Sequence, residues 1–216
     1  MLTAASISYS VEGDEGPHLI LDDVDIDADC GEIVDVVGPS GSGKTTLLRA
    51  LARLLPDVKG ALALDGAASA EIEPQEWRQR VTLLPQITAL VPGTVANNIQ
   101  LPWSLKVRHG FAPPTAERMR EALDDMGLEE VNLERSAAKL SVGQAARVAL
   151  LRTILTEPDV LLLDEPDANL DDESAAQVTS MTRDFAARGG AVVRVRHLRA
   201  DELATRRLRL ECGHPE

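Results

Sequence analysis

One stretch of this chain constrains its fold more than any other: Gly38-Pro39-Ser40-Gly41-Ser42-Gly43-Lys44-Thr45, which satisfies G-x-x-x-x-G-K-[ST]. Residues 33–37, just before it, read as a short buried strand. Thr46 completes the phosphate-binding segment, and Leu47, Leu48, Leu51 and Leu54 behind it mark one face of a helix. Strand, glycine loop and helix in this order build an anion cradle, because the first N–H groups of a helix have no internal partner and point at whatever the loop encloses. Glycine lets the backbone turn sharply and approach phosphate oxygens without a Cβ in the way. The pattern places the Lys44 ammonium on β- and γ-phosphates and the Thr45 hydroxyl on Mg²⁺.

The remaining pattern agrees with an α/β chain. Residues 2–9 and 18–28 alternate apolar with small or charged side chains, as half-exposed antiparallel strands do, with a turn-rich segment at 12–17 between them. Further strands are expected at 61–64, running into an Asp65-Gly66 turn, and at 81–84. Between residues 92 and 140 strand-like runs stop, prolines stand at 102, 113 and 114, and 115–126 has helical spacing; Pro114 and Thr115 make a helix start, without a capping box because Arg118 stands at the third position. Helices at 142–155 and 173–188 then alternate with strands at 160–163 and 191–195, which implies a parallel sheet covered on both faces. The expectation is one domain: a P-loop NTPase core of mainly parallel sheet from residues 1–91 and 141–216, with an N-terminal antiparallel β subdomain and an inserted α-helical subdomain at 92–140.

The apolar run at 160–163 ends in Asp164-Glu165-Pro166. Open parallel sheets bind ligands at the carboxyl ends of their strands, so Asp164 is placed like the acid that accompanies Mg²⁺ in P-loop enzymes. Glu165 adds a second carboxylate, suited to deprotonating an attacking water.

Composition removes several alternatives. Acidic residues outnumber basic ones 35 to 22, for a net charge of −13, and aromatic content is 2%, which argues against nucleic acid as a partner. Cys30 and Cys212 stand apart without metal-site spacing, in keeping with a reducing cytoplasm. No apolar run is long enough to span a bilayer and no secretory signal is evident, so a membrane role requires a partner.

With these motifs in order the sequence resembles the ATP-binding subunit of an ABC transporter over nearly its whole length. Leu140-Ser141-Val142-Gly143-Gln144 is similar to the family's LSGGQ signature. The resemblance implies that Ser141, Gly143 and Gln144 of one subunit hold the γ-phosphate bound by a second, with ATP and Mg²⁺ sandwiched in a homodimer. It also implies that Gln86 is the Q-loop glutamine at the Mg²⁺ and γ-phosphate side, Tyr9 the aromatic on adenine, Asn169-Leu170-Asp171 the D-loop that crosses the dimer, and His197 the switch histidine. A separately encoded transmembrane permease would anchor the subunit to the inner face of the cell membrane, docking on the inserted lobe. Thr94-Val95-Ala96-Asn97-Asn98-Ile99-Gln100-Leu101-Pro102-Trp103 is similar to the corresponding stretch of iron-efflux cassettes.

Three residues depart from the family pattern. Val142 replaces the first signature glycine, Asp35 interrupts the strand before the phosphate loop and needs a partner if buried, and Arg196 stands before His197 where a small polar residue is common. Two other readings compete: a soluble non-transport ABC ATPase, disfavoured by the absence of a coiled coil or second ATPase domain, and a regulatory module that binds ATP without turnover, which Val142 motivates.

Overall fold

Alternation in the first thirty residues produces a long hairpin, β1 (Leu2–Gly13) against β2 (Gly16–Ala28). Leu2 and Ala4 turn inward, and a bulge containing Ser6, at φ 54°, moves the inward position to Ile7. The structure, a computed structural model, describes residues 1–13, 16–87, 89–168, 170–196, 202–211 and 214–215. The turn expected at 12–17 is mostly ladder instead: Glu12 pairs with Pro17 and Gly13 with Gly16.

Next come β3 (Ile33–Val37), α1 (Lys44–Leu51), β4 (Lys59–Leu64), β5 (Ala67–Ala68), α2 (Pro74–Arg80) and β6 (Val81–Leu84). They are followed by α3 (Val95–Gln100), α4 (Ala116–Asp124), α5 (Val142–Ile154), β7 (Val160–Asp164), α6 (Asp172–Ala187), β8 (Ala191–Val195), β9 (Arg206–Glu211) and β10 (His214–Pro215). Two sheets result. One is antiparallel with order β2-β1-β4-β5; the other has order β10-β9-β3-β8-β7-β6 and is parallel from β9 to β6, with only β10 running antiparallel to its neighbour β9. The α/β P-loop architecture read from the sequence is therefore present.

The parallel strands are buried on both faces, and their two-residue period divides the core. Val34, Val36, Leu162, Val193 and Val195 pack with Leu47, Leu48 and Leu51 of α1 and with the antiparallel sheet. Ile33, Leu161, Leu163 and Val192 pack on the opposite side with Val148 and Leu151 of α5 and Val178 and Phe185 of α6. Because β8 lies between β3 and β7, the carboxyl ends of the strands that carry the glycine loop and the acid pair open on the same edge of the sheet.

Some expectations need correction. Leu54 is not on the face of α1, which stops at Leu51; it is 49% exposed. The helix ends where Arg53 turns left-handed, φ 52°, and there the fully buried Trp77 of α2, a helix unexpected from the sequence, donates from Nε1 to the Leu51 carbonyl at 2.8 Å. The helix expected over 115–126 is shorter: Thr115 is its cap, with Oγ1 accepting from Arg118 N at 3.2 Å, and Met126 lies beyond its end but fully buried. β9 was unexpected as well, yet its Leu210 is fully buried beside β3. Among the described residues no helix is long and apolar enough to cross a membrane.

Candidate functional site

The phosphate loop leaves β3 at Gly38, where φ is 155° and a Cβ would lie 2.1 Å from the Leu210 carbonyl oxygen. Only glycine lets the loop pass this close to β9. The loop then folds over Lys44, whose Nζ donates to the carbonyls of Gly38 at 2.9 Å and Pro39 at 2.8 Å. Lys44 is 5% exposed, and burial pulls its pKa below the ordinary lysine value of 10.5 while the carboxylates of Glu165 and Asp164 oppose the shift. Ser42 is buried beneath the loop, its Oγ without a partner among the described residues.

Thr45, next along α1, donates from Oγ1 to Asp164 Oδ1 at 3.1 Å. This contact joins the two motifs, 119 residues apart, at the carboxyl ends of β3 and β7. Glu165 follows in a left-handed conformation, φ 49°, with its N–H donating to Val195 O at 3.2 Å. Its Oε2 accepts from Gln86 Nε2 at 2.8 Å. Ser40, Gly41, Gly43, Lys44, Thr45, Thr46, Gln86 and Glu165 line one cavity of about 450 Å³, with Ile20 of β2 as its apolar wall. Such a volume suits a small ligand, and the lining joins a cation to several hydroxyls, an amide and a carboxylate.

Ser141, Gly143, Gln144 and Asp171 do not line that cavity; they gather on a second surface, at the N-termini of α5 and α6. Ser141 and Gln144 form a reciprocal capping box: Gln144 N donates to Ser141 Oγ at 3.2 Å and Ser141 N to Gln144 Oε1 at 3.0 Å. The Gln144 amide then donates to Glu130 at 2.9 Å. Asp171 caps α6, accepting from Ser174 N at 2.8 Å and Ser174 Oγ at 3.1 Å, and the backbone bond is the main reason its carboxyl titrates lower than an ordinary aspartate. Gly143 is where the two helices touch: a Cβ there would lie 2.5 Å from Ser174 Oγ. Val142 stands at the tip of this surface, 72% exposed.

A model of the family described as ABC transporter matches residues 21–168, from Leu21 in β2 to the loop after Glu165. This chain belongs to the ABC transporter family. Protein STAR1 of Oryza sativa subsp. japonica is 41% identical over 82% of this chain and 51% of its own length, so the chain spans about half of that relative. The probable iron export ATP-binding protein FetA of Escherichia coli is 32% identical, covering 77% of this chain and 72% of FetA. A probable anion import ATP-binding protein of Haloferax volcanii is 35% identical, covering 84% and 68%. Among solved structures, the dimeric bacterial ABC transporter cassette MJ0796 superposes with a TM-score of 0.84 at 25% identity, covering 100% of this chain and 97% of that one.

Within this ABC cassette, the remaining sequence expectations divide. Tyr9 is half-buried against the core of the antiparallel sheet and does not line the cavity. His197, Asn169 and Cys212 lie outside the described residues. Asp35 is buried, and its partner is Arg194 of β8, with Nε at 2.5 Å and Nη2 at 3.3 Å. Arg196 is buried too and pairs with Asp167 at 2.6 Å. Sequence reasoning missed Ile20, an unremarkable strand residue until the hairpin places it at the loop, and Asp167, whose signal was its position two residues after Glu165.

Proposed function

We propose that this cassette binds ATP with Mg²⁺ in the 450 Å³ cavity and hydrolyses it to power an ABC transporter. The observation that carries the reading is the junction of two contacts there, Thr45 with Asp164 and Gln86 with Glu165. The donors suit Mg²⁺, a hard ion that takes oxygen ligands: the Thr45 hydroxyl, the Asp164 carboxylate and the Gln86 amide oxygen. When bound, the ion would offset the charge of the triphosphate.

The chain's own groups do the rest. Lys44 gives up its loop carbonyls for β- and γ-phosphate oxygens, and the loop amides orient the chain of phosphates. Glu165 accepts a proton from water as the water oxygen bonds to the γ-phosphorus and the β–γ bridge breaks, releasing ADP and phosphate. Gln86 fixes the Glu165 carboxylate for that transfer. The Ser141, Gly143 and Asp171 surface of a second copy then completes the site, so ATP binding closes a dimer and hydrolysis reopens it. The dimeric form of the superposed cassette supports this. His197 as the γ-phosphate contact and Tyr9 beneath adenine belong to the same proposal.

We further read residues 92–140 as the lobe that a separately encoded membrane permease engages, which would hold the subunit on the inner face of the membrane. For the cargo, the likeness of residues 94–103 to iron-efflux cassettes and the name of the E. coli relative favour metal export, whereas the name of the Haloferax relative points to import. The exposed Val142 favours a second reading, a module that binds ATP and turns it over little. Phosphate release measured on the full chain with its copurifying membrane protein separates these. Turnover abolished by Glu165→Gln supports the transport ATPase, and no turnover in that complex supports the module. The identity of the copurified polypeptide decides cargo and direction.

A further inference from the structure

Arg194 in β8 and Arg196, the residue just past its end, are each buried against an aspartate. Arg194 ties to Asp35 in the strand that feeds the phosphate loop. Arg196 reaches the other arm of the site. Its Nη2 donates to Asp167 Oδ2 at 2.6 Å, with the two side chains only 6% and 12% exposed.

Asp167 stands two residues beyond Glu165, and Arg196 directly follows Val195, whose carbonyl accepts the Glu165 N–H at 3.2 Å. A ring is thereby closed: a backbone bond at Glu165 and Val195, an ion pair at Asp167 and Arg196, with Pro166 between Glu165 and Asp167 on one side and Val195 bonded directly to Arg196 on the other. Ala168 N donates back to the Glu165 carbonyl at 3.1 Å and tightens the same turn. Inside the ring Glu165 holds φ 49°, a region that residues with a side chain occupy only at a cost and keep only where their surroundings over-determine it.

We propose that the Arg196–Asp167 ion pair is a positioning device: it holds the backbone of Glu165 left-handed and so keeps its carboxylate against Gln86. Neither residue touches the cavity. The inference rests on Glu165 being the base of the proposed reaction, but the conformational part stands by itself. A purely structural role predicts a different outcome, since removing both charges of a buried pair together tends to leave stability nearly unchanged. Displacing a reacting group by about 1 Å can cost on the order of 10²-fold in rate.

The test uses the full chain, the double variant Arg196→Gln/Asp167→Asn, in which both members of the pair are neutral, and the two single variants. The backbone ¹³C shifts of Glu165 should report the left-handed conformation in the parent and move toward extended values in the double variant. Its kcat for ATP should fall about 10- to 100-fold with KM and unfolding midpoint held. Each single variant should lose as much kcat as the double, because either substitution alone breaks the pair. Unchanged Glu165 shifts in a folded double variant would overturn the proposal whatever the turnover, and so would a kcat equal to the parent's. Turnover that survives Glu165→Gln would remove Glu165 as the base, while the shifts alone still decide whether the pair holds its backbone.

Discussion

Gln86 and Glu165 are 79 residues apart in the chain and meet at 2.8 Å, amide nitrogen to carboxylate oxygen. The contact links the end of β6 to the end of β7, so whatever moves the segment after β6 also moves the proposed base. From this position both side chains line the cavity.

Glu165→Gln preserves shape and removes basicity. Phosphate release should fall by roughly 10²–10⁴-fold, the usual contribution of a general base, while ATP affinity by calorimetry stays near the parent's. ATP-bound dimer should then accumulate on size exclusion, because closure continues and reopening stops. Steady-state turnover equal to the parent's would remove Glu165 from this role.

Lys44 makes a pH-dependent prediction. The ammonium is the form that binds phosphate, and burial lowers its pKa from 10.5, so the nucleotide-free chain loses that charge at lower pH than an ordinary lysine does. ATP affinity should therefore be full well below the shifted pKa and decline as pH rises toward 10.5. Lys44→Ala should bind ATP weakly and lose this alkaline dependence, both measurable by calorimetry across pH. An alanine variant that matched the parent in affinity would count against the whole site.

The chemistry of the site was legible in sequence where contiguous residues carry it. The loop from Gly38 to Thr45 dictates strand, turn and helix by its own spacing, and Asp164-Glu165 sits at the end of a short apolar run that reads as a buried strand. What pairs with what was not legible. Asp35 announces that it needs a partner, but Arg194 becomes that partner only because β3 and β8 are neighbours in the sheet, 159 residues apart in sequence. β9 was hidden because an edge-side strand of Arg, Arg, Leu, Arg, Leu and Glu presents too few apolar residues to signal one, and its burial comes from β3 and not from its own pattern. Short α2 was hidden likewise, with a single buried residue, Trp77, to mark its inner face.

The Asp35–Arg194 pair tests how much of this core is electrostatic. Asp35→Ala should lower unfolding free energy in urea by about 3–5 kcal/mol, since it strips a carboxylate from a guanidinium that is 2% exposed. Replacing both residues together, with Asp35→Val and Arg194→Leu, should recover most of that loss, because taking two charges out of water costs about as much as their attraction returns. A double variant as unstable as the single would mean that Arg194 serves the fold through contacts other than this pair.

Val142 is the first residue of α5, 72% exposed on a surface where Ser141, Gln144 and Asp171 are engaged in caps. In the proposed dimer that surface faces a phosphate bound by the partner, and a β-branched side chain there holds the two backbones apart. Val142→Gly should therefore raise the fraction of ATP-bound dimer in a Glu165→Gln background and raise turnover in the parent. The cost to helix stability should not exceed about 1 kcal/mol, since the substitution falls at the first turn, where the capping box of Ser141 and Gln144 remains intact. Dimer fraction by size exclusion with Mg-ATP gives the answer directly. No gain from glycine would mean that closure proceeds with valine in place, and the module that binds ATP with little turnover would lose the observation that favours it.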